Sequence, residues 1–411
     1  MARAPGITIA APKSGSGKTL VTLGIVAALR KTGVRVGVAK AGPDYIDASF
    51  LAPAAARPCI NLDPWAMRAN TLLQLARIAA SDADILVVEG VMGLFDGAGG
   101  GGGSTADLAV ALDLPVVLVV DTSQQAQSVG ALVRGFDTHR ADVRLAGVIL
   151  NKVASSHHEK LIREGFAGMQ IPILGVVGRH GELSLASRHL GLVQAIERVG
   201  LDATIDRAAA LVDAGVDLNR LRALARPPAA GKATAAPIPP IPPPGQRIAV
   251  GFDRAFGFAY AHLLQSWRDQ GAETLMFSPL ADAAPDADAD AIFLPGGYPE
   301  LHAGTLASNA RFLDGLRAGA ARGCLIHGEC GGYMVLGERL EDGDGISHAM
   351  AGLLALATSF AAPRLTLGYR AVQVLAPWRF CPGAVSLRGH EFHYAQVLRE
   401  VGDPLFCSQA A

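Results

Sequence analysis

The sequence predicts an α/β protein of two domains, the first of them doubly wound, and three observations carry that prediction. Short apolar, β-branched runs recur with helical stretches between them, the pattern of parallel strands buried on both faces and joined by crossover helices. At 411 residues the chain is too long for one ordinary core. The α/β rhythm breaks once, between Pro227 and Pro244, where eight prolines stand among alanines, and then restarts. Such a stretch reads as a semi-rigid, extended linker. The expected organisation is a first domain over 1–226, a linker over 227–245 and a second domain over 246–411.

Taken in order, strands are expected at 6–11, 34–39, 84–89, 115–120, 144–150 and 173–177 in the first domain. In the second they are expected at 247–252, 274–277, 290–294 and 323–327, with a strand-rich end. Half of the residues are hydrophobic and the formal charge is −1, so the chain is globular and neither nucleic acid nor an anionic membrane is expected as its main partner. The five cysteines lie in no CxxC or Cys/His metal spacing, which points to a reducing compartment. The apolar runs are of strand length, too short to span a bilayer, and no signal-peptide pattern precedes the first strand. The expected location is the cytoplasm.

The first chemical signal follows the 6–11 strand. Lys13-Ser14-Gly15-Ser16-Gly17-Lys18-Thr19 is a Gly-rich turn between a strand and a helix, which places backbone N–H groups around an anion. In that arrangement Lys18 contacts the β- and γ-phosphates and the Thr19 hydroxyl binds Mg²⁺. Pro12 stands where the usual motif has its first glycine, and the loop resembles the deviant one of partitioning ATPases and dethiobiotin synthetase. Only seven lysines occur, and Lys13, Lys18, Lys40 and Lys152 all fall in motif segments, as if an ammonium rather than a guanidinium were required there.

Carboxylates at neighbouring strand ends would complete a metal site. Asp44 lies in Lys40-Ala41-Gly42-Pro43-Asp44-Tyr45-Ile46-Asp47, and Glu89 opens Glu89-Gly90-Val91-Met92-Gly93-Leu94-Phe95-Asp96-Gly97. Asp96 reads either as substrate-facing or as a turn former. The Gly99–Gly103 run is a lid or a plain connector, leading to a helix cap at Ser104-Thr105-Ala106-Asp107. Asn151, closing the 144–150 strand, offers the donor and acceptor that match an adenine edge, and a turn-forming asparagine fits its spacing equally.

The second signal is His327-Gly328-Glu329-Cys330-Gly331-Gly332, a Gly-x-Cys-x-Gly turn between strand and helix. It is the sulfur counterpart of a nucleophile elbow, with a helix N-terminus expected to depress the Cys330 thiol. The turn Leu294-Pro295-Gly296-Gly297-Tyr298 supplies N–H groups, Gly297 among them, that with Gly331 could hold a tetrahedral oxyanion. A base is available in Gly389-His390-Glu391-Phe392-His393-Tyr394. In an extended segment His390 and His393 face opposite sides, so one of the two reaches Cys330.

Taken together, the Lys40–Asp47, Glu89–Gly97, Gly296–Glu300 and Gly389–Tyr394 segments resemble the corrin a,c-diamide synthases over essentially the whole chain. The resemblance implies a dethiobiotin-synthetase-like P-loop domain followed by a class I glutamine amidotransferase-like domain. It implies ATP, Mg²⁺ and L-glutamine as reactants and cofactors, and a corrinoid substrate. ATP would be held by Lys13–Thr19 and Asn151, the metal by Thr19, Asp44 and Glu89, and the acyl-phosphate site would be lined by Asp44, Tyr45 and Asp96. Cys330 would be the nucleophile with His393 as its base, and Gly297 and Gly331 the oxyanion hole. Hydrogenobyrinic acid is the substrate favoured on composition and length, with cobyrinic acid next and a partitioning-type switch ATPase as the reading from another class. A homodimer is left open.

Overall fold

The computed structural model describes residues 4–179, 187–188, 191–192, 194–198, 200–229, 240–377 and 386–410. Much of the expected 227–245 linker, residues 230–239, lies outside them. Contacts divide the chain into two units: Met1–Ser187 with Arg198–Ile238, and Arg188–Glu197 with Pro239–Ala411. The second unit thus takes in a segment from within the 1–226 range. Gln194, 3% exposed, explains why: its side-chain amide donates to the Arg254 carbonyl at 3.1 Å.

In the first unit, β1 (Gly6–Ala10), α1 (Lys18–Lys31), β2 (Val36–Ala41), α2 (Tyr45–Ala55), β3 (Cys59–Leu62), α3 (Ala69–Ala79) and β4 (Ile85–Glu89) alternate. They are followed by α4 (Thr105–Leu112), β5 (Val116–Asp121), α5 (Ser128–Thr138), β6 (Leu145–Val153), α6 (Ser156–Glu164) and β7 (Ile173–Gly178). The seven strands form one parallel sheet in the order β3-β2-β4-β1-β5-β6-β7. Every residue of β1 and β4 is buried, which is what the unbroken apolar runs require of strands covered on both faces. Edge strand β3, four residues long and set between Pro58 and Asp63, was not expected; too short for a periodicity, it is recruited by pairing with β2. After the two-residue strands β8 (Ser187–Arg188) and β9 (Gly191–Leu192), helices α7 (Leu201–Gly215) and α8 (Leu218–Leu224) complete the unit, α7 packing on α1.

The seven strands of the large sheet all point the same way, so their carboxyl ends gather the chemistry at one rim. Register does the rest: Lys40 at the end of β2 pairs with Glu89 at the end of β4, Ile9 of β1 also pairs with Glu89, and Asp121 of β5 pairs with Asn151 of β6.

The second unit contains a four-stranded parallel sheet of β10 (Arg247–Gly251), β11 (Glu273–Phe277), β12 (Ala291–Leu294) and β13 (Leu325–Gly328), ordered β11-β10-β12-β13. Helices α9 (Ala261–Asp269), α10 (Ala303–Ser308), α11 (Ala310–Ala321) and α12 (Gly331–Leu336) accompany it. The expected strand-rich end follows. Strands β14 (Arg339–Glu341), β15 (Ser347–Ala349), β16 (Ala355–Ser359) and β19 (Gln396–Val401) make one sheet. Strands β17 (Thr366–Val374), β18 (Ser386–His393) and β20 (Phe406–Ala410) make an antiparallel one. Among the described residues no helix is long and apolar enough to cross a membrane.

Candidate active sites

The loop between β1 and α1 takes the shape its glycines allow. Gly15 and Gly17 sit at φ 79° and 84°, a region that side chains disfavour. Ser16 Oγ closes the turn onto the Lys13 carbonyl at 2.9 Å, while Lys13, Ser14 and Gly15 are exposed. Asn151, 4% exposed, donates its amide to the Ser16 carbonyl at 2.8 Å, a bond that braces the loop. Lys152, held at φ 61°, adds a second brace: its Nζ bonds the Gly15 carbonyl at 3.1 Å and Asp121 at 2.6 Å.

Beneath the loop lies a buried charge cluster. Lys18 Nζ bonds Glu89 Oε1 at 2.9 Å and also the Gly90 carbonyl. Lys40 Nζ, 1% exposed, bonds Asp47 at 2.6 Å, Glu89 at 3.2 Å and the same Gly90 carbonyl at 2.9 Å. The Thr19 hydroxyl donates toward Glu89 at 2.7 Å and lies 3.2 Å from Asp47. The cluster splits its two lysines. Burial, together with repulsion from Lys40, keeps the Lys18 ammonium below its ordinary range despite Glu89. Burial opposes the charge on Lys40 as well, but Asp47, Glu89 and Asp44 outweigh it and hold Lys40 well above the ordinary range. Asp47, which burial alone would raise, is driven low by Lys40 and Lys18. Asp44 goes the other way, up to about 6, through burial and then the neighbouring Asp47 charge.

Asp44 and Asp47 therefore do different work. Asp44 caps α2, its Oδ1 accepting from the N–H groups of Ile46 and Asp47 at 2.8 and 3.0 Å, with Tyr45 opening the helix. Asp47, one turn in, is the carboxylate beside Thr19. Asp47 was given no role from sequence, and Lys40 only a place among the lysines of the motif segments. The signal was present, a lone lysine ending a strand in an arginine-rich chain with an aspartate three residues past Asp44. Glu89 is fully buried and its Oε2 has no hydrogen-bond partner among the described residues, an orphaned acceptor of the kind a bound cation explains. A hydroxyl and two carboxylates suit a hard, oxygen-seeking ion.

Asp96 is exposed and folds back to accept from the Gly93 N–H at 2.9 Å, the behaviour of a turn former. The glycine loop after it closes on itself through Ala98 N–H to the Gly102 carbonyl at 2.9 Å. It runs into a capping box, Ser104 with Asp107, as the sequence indicated.

In the second unit β13 ends at Gly328, and Cys330 adopts φ 49°, ψ −110° before α12 begins at Gly331. A non-glycine residue at positive φ between strand and helix is the strained elbow expected. Its glycines are required by space: a side chain at Gly332 would sit 2.0 Å from the Leu294 carbonyl. The expected depression of the thiol is not found. The residue as a whole is exposed, yet the surrounding turn desolvates its thiol, which rises to about 11. Hydrogen bonding from the Gly331 and Gly297 N–H groups pulls the other way, and the Glu300 and Glu329 carboxylates add to the rise. Both N–H groups assigned to the oxyanion hole thus act on Cys330. A thiol held this high needs a base before it can attack.

Strand β18 alternates as an extended segment must, leaving His390 exposed while Glu391 and His393 share its half-buried face. Among the described residues His393 bonds the Ala395 carbonyl through Nδ1 at 3.0 Å and Glu391 Oε1 through Nε2 at 2.8 Å, and not Cys330. Burial would raise Glu391, but His393 and Arg370 outweigh it and hold the carboxyl below its usual range.

Residues 7–193 match the CobQ/CobB/MinD/ParA nucleotide binding domain, and residues 247–410 match the CobB/CobQ-like glutamine amidotransferase domain. The chain is 52% identical to the hydrogenobyrinate a,c-diamide synthase of Brucella anthropi over 396 residues, covering 96% of this chain and 90% of that protein. The enzyme of that name from a Sinorhizobium species is 52% identical over 404 residues, covering 98% and 92%. The one from Rhodobacter capsulatus is 50% identical over 404 residues, covering 97% and 92%. With a nucleotide site and a cysteine elbow in the matching domains, the chain belongs to the hydrogenobyrinate a,c-diamide synthases, glutamine-dependent amide ligases.

Proposed function

We propose that this protein converts the a- and c-acetate carboxylates of hydrogenobyrinic acid to amides, spending ATP and glutamine. The observation that carries the reading is the pairing, in one chain, of a P-loop backed by buried carboxylates with an elbow cysteine whose thiol needs a base. In the second unit, Cys330 passes its proton to His393 and its sulfur attacks the glutamine amide carbon. The N–H groups of Gly297 and Gly331 hold the oxyanion. Ammonia leaves, and water releases glutamate from the thioester.

In the first unit, an acetate oxygen of the macrocycle attacks the γ-phosphorus and ADP departs. The acyl phosphate is the better electrophile because phosphate is a good leaving group, and ammonia displaces it to form the amide. Residues Lys13–Thr19 cradle the phosphates, and Lys18 must exchange Glu89 for them. Mg²⁺, which Thr19, Asp47 and Glu89 would hold with Asp44 fixing the start of their helix, supplies charge neutralisation on the phosphates. Asn151 and Lys152 keep the loop in its binding shape, and Tyr45, between Asp44 and Asp47, stands on the substrate side, while Asp96 shapes the turn that follows Glu89. A partitioning-type switch ATPase would leave the whole amidotransferase domain without work.

The test is glutaminase activity of wild type and Cys330→Ser, with ammonia then offered in place of glutamine. Loss of glutamate release with ammonia-supported amidation retained is the expected result. Glutamate release by the variant would overturn the nucleophile, and failure of ammonia rescue would overturn the two-site scheme. Hydrogenobyrinic and cobyrinic acids offered separately decide the substrate; preference for the cobalt-containing acid would overturn the choice made here.

A further inference from the structure

Seven non-glycine residues among those described adopt positive φ, a region that side chains disfavour. Six have an account in the fold or the chemistry. Ala56, Asp113 and Asp282 each close the C-terminal end of a helical turn, and Asp82 stands in the turn after α3. Lys152 braces the P-loop, and Cys330 is the elbow nucleophile. Met92, at φ 48°, is the seventh. An aspartate there would bond its own backbone and a glycine would carry no Cβ; methionine offers neither relief.

The turn that holds Met92 is fastened on both sides. The Gly90 N–H donates to the Ile9 carbonyl and the Leu94 N–H to the Ala11 carbonyl, each at 2.8 Å. Between them the Thr105 hydroxyl accepts from the Val91 N–H at 2.9 Å and donates to the Val91 carbonyl at 3.0 Å. The surroundings therefore impose the strain on residue 92. Glycine would remove it, and the same segment already uses glycine at 90, 93 and 97. Core filling does not explain the methionine, because it is 39% exposed.

Its position does. Two residues before Met92, the Gly90 carbonyl accepts from both Lys18 and Lys40. One residue after it, Gly93 lies against the carbonyl of Pro12, at the entry to the P-loop. Val91 lies against Gly42, where a Cβ would be 3.4 Å from its Cγ1, so the turn adjoins the segment leading to Asp44 and Tyr45. The charged groups of this rim answer to phosphate, cation and carboxylate. A flexible, polarizable thioether answers to an apolar surface.

We propose that Met92 is a specificity contact for the macrocycle, its side chain lying against the apolar ring periphery while a carboxylate arm reaches the γ-phosphate. This rests on the corrinoid reading above. The strained backbone holds the side chain out to solvent until the substrate covers it. A small carboxylic acid without an apolar body would gain nothing from the contact.

The experiment compares the full-length wild type with Met92→Gly and Met92→Leu, using ammonia as nitrogen donor so that glutamine hydrolysis does not enter. It measures KM for the corrinoid acid that the wild type amidates, KM for ATP, and the unfolding temperature. Met92→Gly relaxes the backbone and deletes the contact. Its KM for the macrocycle is expected to rise roughly tenfold, the loss of one apolar side chain partly covered by ligand. KM for ATP should stay near the wild-type value, and the unfolding temperature should be equal or higher. Met92→Leu keeps an apolar side chain at the same strained position and should recover most of the affinity. A wild-type macrocycle KM in Met92→Gly overturns the proposal. So does a lower unfolding temperature with both KM values raised alike, which would make Met92 a structural residue, and so does Met92→Leu failing as badly as Met92→Gly. A wild type that amidates no corrinoid acid ends the functional reading and the place of Met92 with it, whereas the other failures end this inference alone.

Discussion

Replacing Lys40 by methionine tests the buried charge cluster most directly. The side chain keeps a four-atom apolar stem and loses the ammonium that bonds Asp47 at 2.6 Å and Glu89 at 3.2 Å. At an effective permittivity near 20 the shorter contact alone is worth about 6 kcal/mol of Coulomb attraction. Against this stand the desolvation of the ammonium and its repulsion of Lys18, which shares Glu89. Removing one partner of a buried pair costs about 3–5 kcal/mol, because the other is left uncompensated. Here Asp47 is the residue stranded, since Lys18 still holds Glu89. The unit it belongs to spans Met1–Ser187 and Arg198–Ile238. In a unit of that size, about 2–4 °C per kcal/mol predicts a fall of roughly 6–20 °C in its unfolding temperature. Calorimetry on the whole chain in metal- and nucleotide-free buffer gives the measurement, read from the transition that moves, since a two-unit protein has no single Tm. The double variant Lys40→Met/Asp47→Asn should recover most of the loss by removing the stranded charge. A single variant within about 1 kcal/mol of wild type, or a double variant no better than the single, would refute the reasoning.

Asp44 gives a pH signature. Its folded-state value near 6 lies above the ordinary 3.8, so the native state holds that proton more tightly than the unfolded chain does. Its contribution to stability is therefore full below the ordinary value and lost as pH rises toward about 6. In Asp44→Asn that decline should vanish from denaturant titrations, and its persistence would rule out Asp44 as the source. Asn151→Ala strands the Ser16 carbonyl it braces and should weaken nucleotide binding by about 1–3 kcal/mol in calorimetric titration; unchanged affinity would make the brace idle. Gly332→Ala puts a methyl 2.0 Å from the Leu294 carbonyl, so the elbow must shift. Overpacking of this kind costs about 1–3 kcal/mol, and glutaminase activity should drop with it; a variant with normal kcat and stability would show the turn to be more compliant than its contacts imply.

Most of the fold was legible because it rests on local regularities. β4 reads as a buried strand from Ile85-Leu86-Val87-Val88 alone, and every expected strand was found within a few residues. β3 was not, since four residues between a proline and an aspartate carry no period and become a strand only by pairing with β2. The cysteine elbow was readable for the same reason as β4: Gly-x-Cys-x-Gly after an apolar run dictates a tight turn in any surroundings. The direction of the thiol shift was not, because it depends on how many atoms crowd the sulfur rather than on which residues flank it.

By itself, the sequence determined the parallel α/β architecture, the two reactive loops and the strand ends that face them, all consequences of residue order over short distances. Only the tertiary structure decided how the charged groups are shared. Lys18 and Lys40, 22 positions apart by number, meet on one carboxylate because β2 and β4 pair in the register that sets Lys40 against Glu89. Asp47 rather than its capping neighbour Asp44 then reaches Thr19, and Asn151 turns inward to the loop. Glu391 is matched to Arg370 across a ladder whose glycines leave the space. These are questions of distance in a medium of low permittivity, where a shift of one ångström changes which charge is paired, and they are settled by packing.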